Sequence, residues 1–175
     1  MKKIKYHGQE LLPIKSDIVF KVIFGKPDNV DILAKFLEAI LDIEIGNPDE
    51  IVLTNTELSG DYDGDKLSRF DIRARLADRS EVEIEIQIQD KHDMIPRALY
   101  YEAKLFNEQL VEGERYENIP RAITLNILDF NLLDSKTFLN RYRYKNTVDH
   151  VELSNLCEIN FLELKKVPEK CYNDK

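Results

Sequence analysis

The stretch "FDIRARLADRSEVEIEIQIQD", residues 70–90, reads as two β-strands joined by a tight turn at "ADRS". Its apolar residues are Phe70, Ile72, Ala74 and Leu76 in the first half and Val82, Ile84, Ile86 and Ile88 in the second, all at even positions. Side chains alternate across a strand, so the odd-numbered residues share the opposite face: Asp71, Arg73 and Arg75 on one strand, Glu83, Glu85, Gln87 and Gln89 on the other. With both apolar rows turned to a core, directly opposed residues have numbers whose sum is even. A turn centred on Asp78 sets Asp71 against Glu85, and one centred on Arg79 sets it against Gln87. In either register Asp71 lies beside the Glu85/Gln87 pair, with opposed Cβ atoms about 4.5–5.5 Å apart.

Adjacent carboxylates repel unless positive charge lies between them. A hard divalent cation such as Mg²⁺ or Mn²⁺ supplies it, since these ions take oxygen ligands and often use one or two carboxylates with water and substrate phosphate. The pattern alone leaves a second reading open: a solvated sheet face on which Arg73 and Arg75 pair with Glu83 and Glu85 across the strands.

Working outward, Ser16 caps a short helix "DIVFKVIF" (17–24), stopped by Gly25 and Pro27, whose apolar residues cover much of its circumference and predict a largely buried helix. In "DNVDILAKFLEAILDI" (28–43) the pairs Ile32/Leu33, Phe36/Leu37 and Ile40/Leu41 recur at helical spacing. "IVLTNTEL" (51–58) reads as a strand. After the hairpin, "RALYYEAKLFNEQLVEGERY" (97–116) predicts a long helix with Pro96 in its first turn and Leu99, Ala103, Phe106 and Leu110 facing the core. "AITLNILDF" (122–130) follows as a strand apolar on both faces, and "TFLNRYRYK" (137–145) and "EINFLELKKV" (158–167) are further strand candidates. Strand, helix and strand in sequence make a right-handed βαβ unit beside an antiparallel hairpin. The fold class expected is therefore α/β in the mixed α+β sense, a small mixed β-sheet flanked by helices.

Composition bounds the rest. A chain of 175 residues, 43% hydrophobic, suits one domain over 1–175 with a substantial core. It has no apolar run of membrane-spanning or signal-peptide length, so a soluble cytoplasmic protein is expected. Cys157 and Cys171 lack partners at metal-ligand spacing and read as free thiols. A net charge of −8 argues against nucleic-acid binding by gross electrostatics and leaves local basic patches open.

In family order, "DIVFKVIFG" (17–25), "DIRARL" (71–76), "EIQIQDKHDMIPRALYYEAKL" (85–105), "GERY" (113–116), "ITLNILDF" (123–130) and "INFLELKK" (159–166) resemble the recombination-promoting nuclease and transposase family of the PD-(D/E)XK nuclease superfamily. The resemblance implies a restriction-endonuclease-like core and a Mg²⁺- or Mn²⁺-dependent DNA endonuclease. It makes Asp71 and Glu85 the metal-binding acids and Asp17 a further acid from the first helix. Gln87 stands where the superfamily usually has lysine, and it can hydrogen-bond but carries no charge. Arg97, Tyr101 and Lys104 lie at helical spacing on one face, suited to phosphate contact. DNA is the partner implied, with no membrane and with a homodimer as one possible assembly. Members of the family usually continue into a mainly helical region, which this chain is expected to lack beyond "FLELKKV". Two other functions stay open at this stage: a catalytically weak or inactive nuclease fold that binds DNA or a protein partner, and an unrelated α/β interaction domain with a wet sheet face.

Overall fold

The computed structural model describes residues 13–56, 71–110 and 113–168, together with the backbone of two short strands that pair with each other, β1 (Ile4–Tyr6) and β2 (Gln9–Leu11). Phe70 and Cys171, and the outer end of the strand candidate at 51–58, lie outside the described residues. Along the chain follow α1 (Asp17–Phe24), α2 (Val30–Leu41), β3 (Val52–Leu53), β4 (Ile72–Arg75), β5 (Glu81–Gln87), α3 (Met94–Asn107), β6 (Ala122–Leu128), β7 (Leu139–Tyr142) and β8 (Cys157–Glu163). Strands β3 to β8 form one mixed sheet in the order β3-β4-β5-β6-β8-β7. Its centre, β5-β6-β8, is parallel, and the pairs β3/β4, β4/β5 and β7/β8 are antiparallel. The βαβ unit is β5-α3-β6, so the architecture is the mixed α/β one expected from the sequence.

The hairpin takes the register of a turn centred on Asp78, with Ile72 opposite Ile84 and Arg73 opposite Glu83. Asp78 itself shapes that turn, accepting from the Ser80 backbone N–H and hydroxyl, while Arg79 adopts positive φ. The even row packs as the parity argument requires. Ile72, Ala74, Val82, Ile84 and Ile86 join Ile123, Leu125 and Ile127 of β6 against Phe20 and Phe24 of α1 and Leu33, Leu37 and Leu41 of α2. Ile88 falls past the end of β5 and is exposed.

Two expectations are corrected. The odd-numbered face of the hairpin is not solvated: α3 lies on that side of the sheet, and Glu81, Glu83 and Glu85 are all buried. Arg73 and Arg75 do not pair with Glu83 and Glu85 but both bond Glu81, at 2.9 and 2.6 Å. In α3 the buried residues are Met94, Ala98, Tyr101, Glu102 and Leu105, whereas Leu99 and Ala103 are exposed. The helix also ends at Asn107, short of the expected stretch. Its sheet-facing stripe is displaced by one residue, about 100° of rotation, from the stripe that periodicity selects.

Helix α1 is less buried than its apolar content suggests. Phe20 and Phe24 stack in the core near Phe36, while Ile18 and Val22 face outward. Ser16 precedes the helix in extended conformation without a side-chain cap bond. Gly25 closes it by donating to the Lys21 carbonyl, and a Cβ there would stand 2.8 Å from that oxygen. The end of α1 lies beside Ile72 of β4, which brings the outer face of α1 to the start of the hairpin.

Candidate active site

Asp71 is one residue outside β4, one ladder step beyond the Ile72/Ile84 pair and therefore across from Glu85. Its two oxygens have different partners. Oδ2 accepts from the backbone N–H of Ile86 at 2.9 Å, which fixes the carboxylate against β5. Oδ1 lies 2.7 Å from the ammonium of Lys21. The same ammonium is 2.9 Å from Asp17 Oδ1, so Lys21 joins the helix acid to the strand acid.

Glu85 is held from the other side. Arg97, on the first turns of α3, donates Nη2 to Glu85 Oε1 in a short ion pair. The guanidinium carbon also sits 5.1 Å from the centre of the Tyr101 ring. Tyr101 is buried with Leu105 and Ala122, so it supports Arg97 from beneath. Glu85 Oε2 and Arg97 Nε are buried without a hydrogen-bond partner among the described residues. Burial, then the charge of Asp71, pushes the Glu85 carboxyl up to about 7, against the opposing pull of Arg97 and Lys21. Glu83, wholly buried one step back along the same row, is pushed well above the carboxylate range by burial and by the charges of Glu85 and Asp71. For Lys21, burial pulls downward, but Asp71 and Asp17 outweigh it and hold the ammonium above the usual lysine value.

The structure thus sets two bonded groups side by side, Asp17–Lys21–Asp71 and Glu85–Arg97–Tyr101, which act on each other through charge. Gln87 is at the end of β5 with its amide donating to the Gln89 carbonyl at 3.0 Å, and its own carbonyl accepts from the Asp129 N–H. Lys104 is half-buried two turns beyond Arg97 on α3. Arg97 also forms a wall of an open cleft of about 530 Å³ with Asp93, Pro96, Tyr100 and Tyr101.

Residues 14–175 match the family described as PD-(D/E)XK nuclease family transposase. The chain belongs to this family. No curated protein and no solved structure matches it. In this PD-(D/E)XK chain positive charge is brought beside the acids by two helices, Lys21 of α1 and Arg97 of α3. Sequence patterning passes over Lys21. Its one local signal is the spacing of four from Asp17, which by itself describes an ordinary surface pair.

Proposed function

We propose that the chain is a divalent-metal-dependent DNA endonuclease that hydrolyses phosphodiester bonds, with Asp71 and Glu85 as the metal-binding acids. The observation that carries this reading is the opposition of these two carboxylates on one face of the hairpin, with Glu85 Oε2 buried and unpartnered. No three His, Cys, Asp or Glu side chains among the described residues converge closely enough to cage a metal. That suits Mg²⁺ or Mn²⁺, which bind through one or two carboxylates and complete their shell with water and substrate phosphate. The donor set is all oxygen, and Glu85 Oε2 has no hydrogen-bond partner among the described residues, so the residues fit such an ion.

When bound, the cation supplies a water of lowered pKa and neutralises charge on the phosphate. The chain's residues do the rest. Asp71, locked by the Ile86 N–H, and Glu85 fix where the ion sits. Arg97, stacked over Tyr101 at the wall of the open cleft, is placed to receive a DNA phosphate, and Lys104 adds positive charge further along α3. Gln87 orients a water or a phosphate oxygen through its amide. Asp17 contributes an acid from α1.

The test is nicking of supercoiled plasmid with Mg²⁺ or Mn²⁺, comparing wild type with Asp71→Ala and Glu85→Gln. We expect cleavage by wild type and loss of at least about a hundredfold in each variant, since acids that hold the ion act as a unit. Equal rates in the three proteins would mean that the cleavage arises elsewhere. One observation favours a second reading, a nuclease fold that binds DNA or a protein partner with weak or no cleavage: the Gln87 amide is uncharged and already engaged with Gln89. Metal-dependent DNA binding without nicking would select it.

A further inference from the structure

Lys21 occupies a place that stability does not explain. Its pair with Asp71, 13% exposed, is buried on the acid's side only, since the Lys21 side chain is 40% exposed, and its pair with Asp17, 55% exposed, lies at the surface. Pairs of that kind contribute little to folding. Meanwhile the Cα of Lys21 is rigidly held: Phe20 on one side is in the core, and Gly25 fastens the Lys21 carbonyl and lies against Ile72. A fixed Cα carries a flexible four-carbon stem whose ammonium is partnered by an acid proposed to hold the metal.

Resting on the endonuclease reading, we propose that Lys21 is a counter-ion that exchanges partners. In the metal-free protein its ammonium neutralises Asp71 and Asp17. When a divalent cation takes Asp71, Lys21 is released and turns to the substrate phosphate, supplying the positive charge that Gln87 lacks. The chemistry favours lysine for this task. Its ammonium is a compact point charge with three rotatable donors on a flexible four-carbon stem, so it can leave one oxygen for another without the planar fit that an arginine needs. Asp71 Oδ2 is already engaged by the Ile86 N–H, so an ion bound to this acid competes with Lys21 for Oδ1, and the repulsion between the two positive charges weakens the Lys21 contact. The freed ammonium stays within the length of one side chain of the same site. Linkage then requires that metal and DNA bind cooperatively, with Lys21 carrying part of the coupling.

The experiment measures two affinities for wild type, Lys21→Met and Lys21→Gln, after melting curves confirm that the variants fold. Mn²⁺ binding is followed by calorimetry without DNA. Binding of a short DNA duplex is followed by anisotropy, once with Ca²⁺ to hold the duplex uncleaved and once with no divalent ion. The exchange predicts opposite signs: both variants bind Mn²⁺ more tightly because the competitor is gone, and with Ca²⁺ present they bind DNA about fivefold or more weakly. Without a divalent ion their DNA affinity equals that of wild type, because Lys21 is then engaged with the aspartates. Unchanged Mn²⁺ affinity in the variants overturns the proposal, as does an equal loss of DNA affinity with and without Ca²⁺, which would make Lys21 an ordinary phosphate contact. Absence of Mn²⁺ binding in wild type would defeat this inference together with the metal site. A wild type that binds Mn²⁺ and DNA but nicks nothing defeats only the endonuclease reading, and the exchange still stands or falls on the two affinities.

Discussion

Glu83 is 0% exposed, and neither of its oxygens has a hydrogen-bond partner among the described residues. A carboxylate in that setting costs several kcal/mol if ionised, so the folded protein retains the proton. Unfolding exposes the group, whose pKa returns to about 4.3. Between that value and the raised folded value the native state binds more protons than the unfolded chain, so this group's contribution to stability falls as pH rises, by about 1.4 kcal/mol per unit. Glu85, pushed to about 7, adds a second decline that ends near neutrality. Glu83→Gln removes the first of these. Its amide still lacks partners, a penalty that does not vary with pH, so the informative quantity is the difference between two pH values. In metal-free protein, the unfolding free energy of Glu83→Gln relative to wild type should rise from pH 5 to pH 8 in urea titrations, by at most about 4 kcal/mol over the three units. A relative stability that stays level across that range would mean that Glu83 is ionised in the folded state and paired.

At the scale of elements, α3 separates what patterning can read from what it cannot. The helix carries two apolar stripes, and periodicity selects the one with Leu99 and Ala103 over the one with Ala98, Tyr101 and Leu105. The sheet accepts the second, whose small Ala98 packs with Leu128 and Phe161 and whose Tyr101 and Leu105 pack on Ala122. This rotation also buries Glu102, which accepts from the Cys157 thiol; burial, and then that bond, push the thiol up to about 12. Truncation distinguishes the two stripes. Leu105→Ala should cost about 2–5 kcal/mol of unfolding free energy, and Leu99→Ser should stay within about 0.5 kcal/mol of wild type. The reverse order in chemical denaturation would place Leu99 in the core and Arg97 away from Glu85. By contrast, the hairpin was legible to the residue. The even row from Ile72 to Ile86 specifies both the faces and the parity of the register, and only the choice between Asp78 and Arg79 as the turn centre was left to structure. Lys21 was not legible, because its contact with Asp71 is a tertiary one created where α1 abuts β4. The burial of Glu83 was not legible either, since a strand's alternation tells which residues share a face but not whether a helix covers it.

For the whole molecule, the expected order of helices, hairpin, crossover helix and parallel strand is the order found, because each step follows from local periodicity and a nearly invariant handedness rule. The balance of charge across that topology leads to a global prediction. The sheet and two helices gather Asp17, Asp71 and Glu85 around Lys21 and Arg97, within a chain whose net charge is already −8. A divalent cation that binds this site in the folded state, and not the unfolded chain, stabilises the whole protein by mass action. At a hundredfold above its dissociation constant the gain is about 2.7 kcal/mol. For a chain of this size that corresponds to a rise of roughly 5–10 °C in melting temperature. Glu85→Gln keeps the shape of the site and removes half of its anionic donors. The variant should melt slightly higher than wild type without metal above pH 7, because burial and the charge of Asp71 outweigh the Arg97 pair in disfavouring the ionised carboxyl, and should show no rise with Mn²⁺. Scanning calorimetry of both proteins, with EDTA and with a Mn²⁺ series, decides the matter. Parallel upward shifts in wild type and Glu85→Gln would locate the ion at another set of carboxylates, since a site that depends on Glu85 cannot bind equally well when that charge is gone.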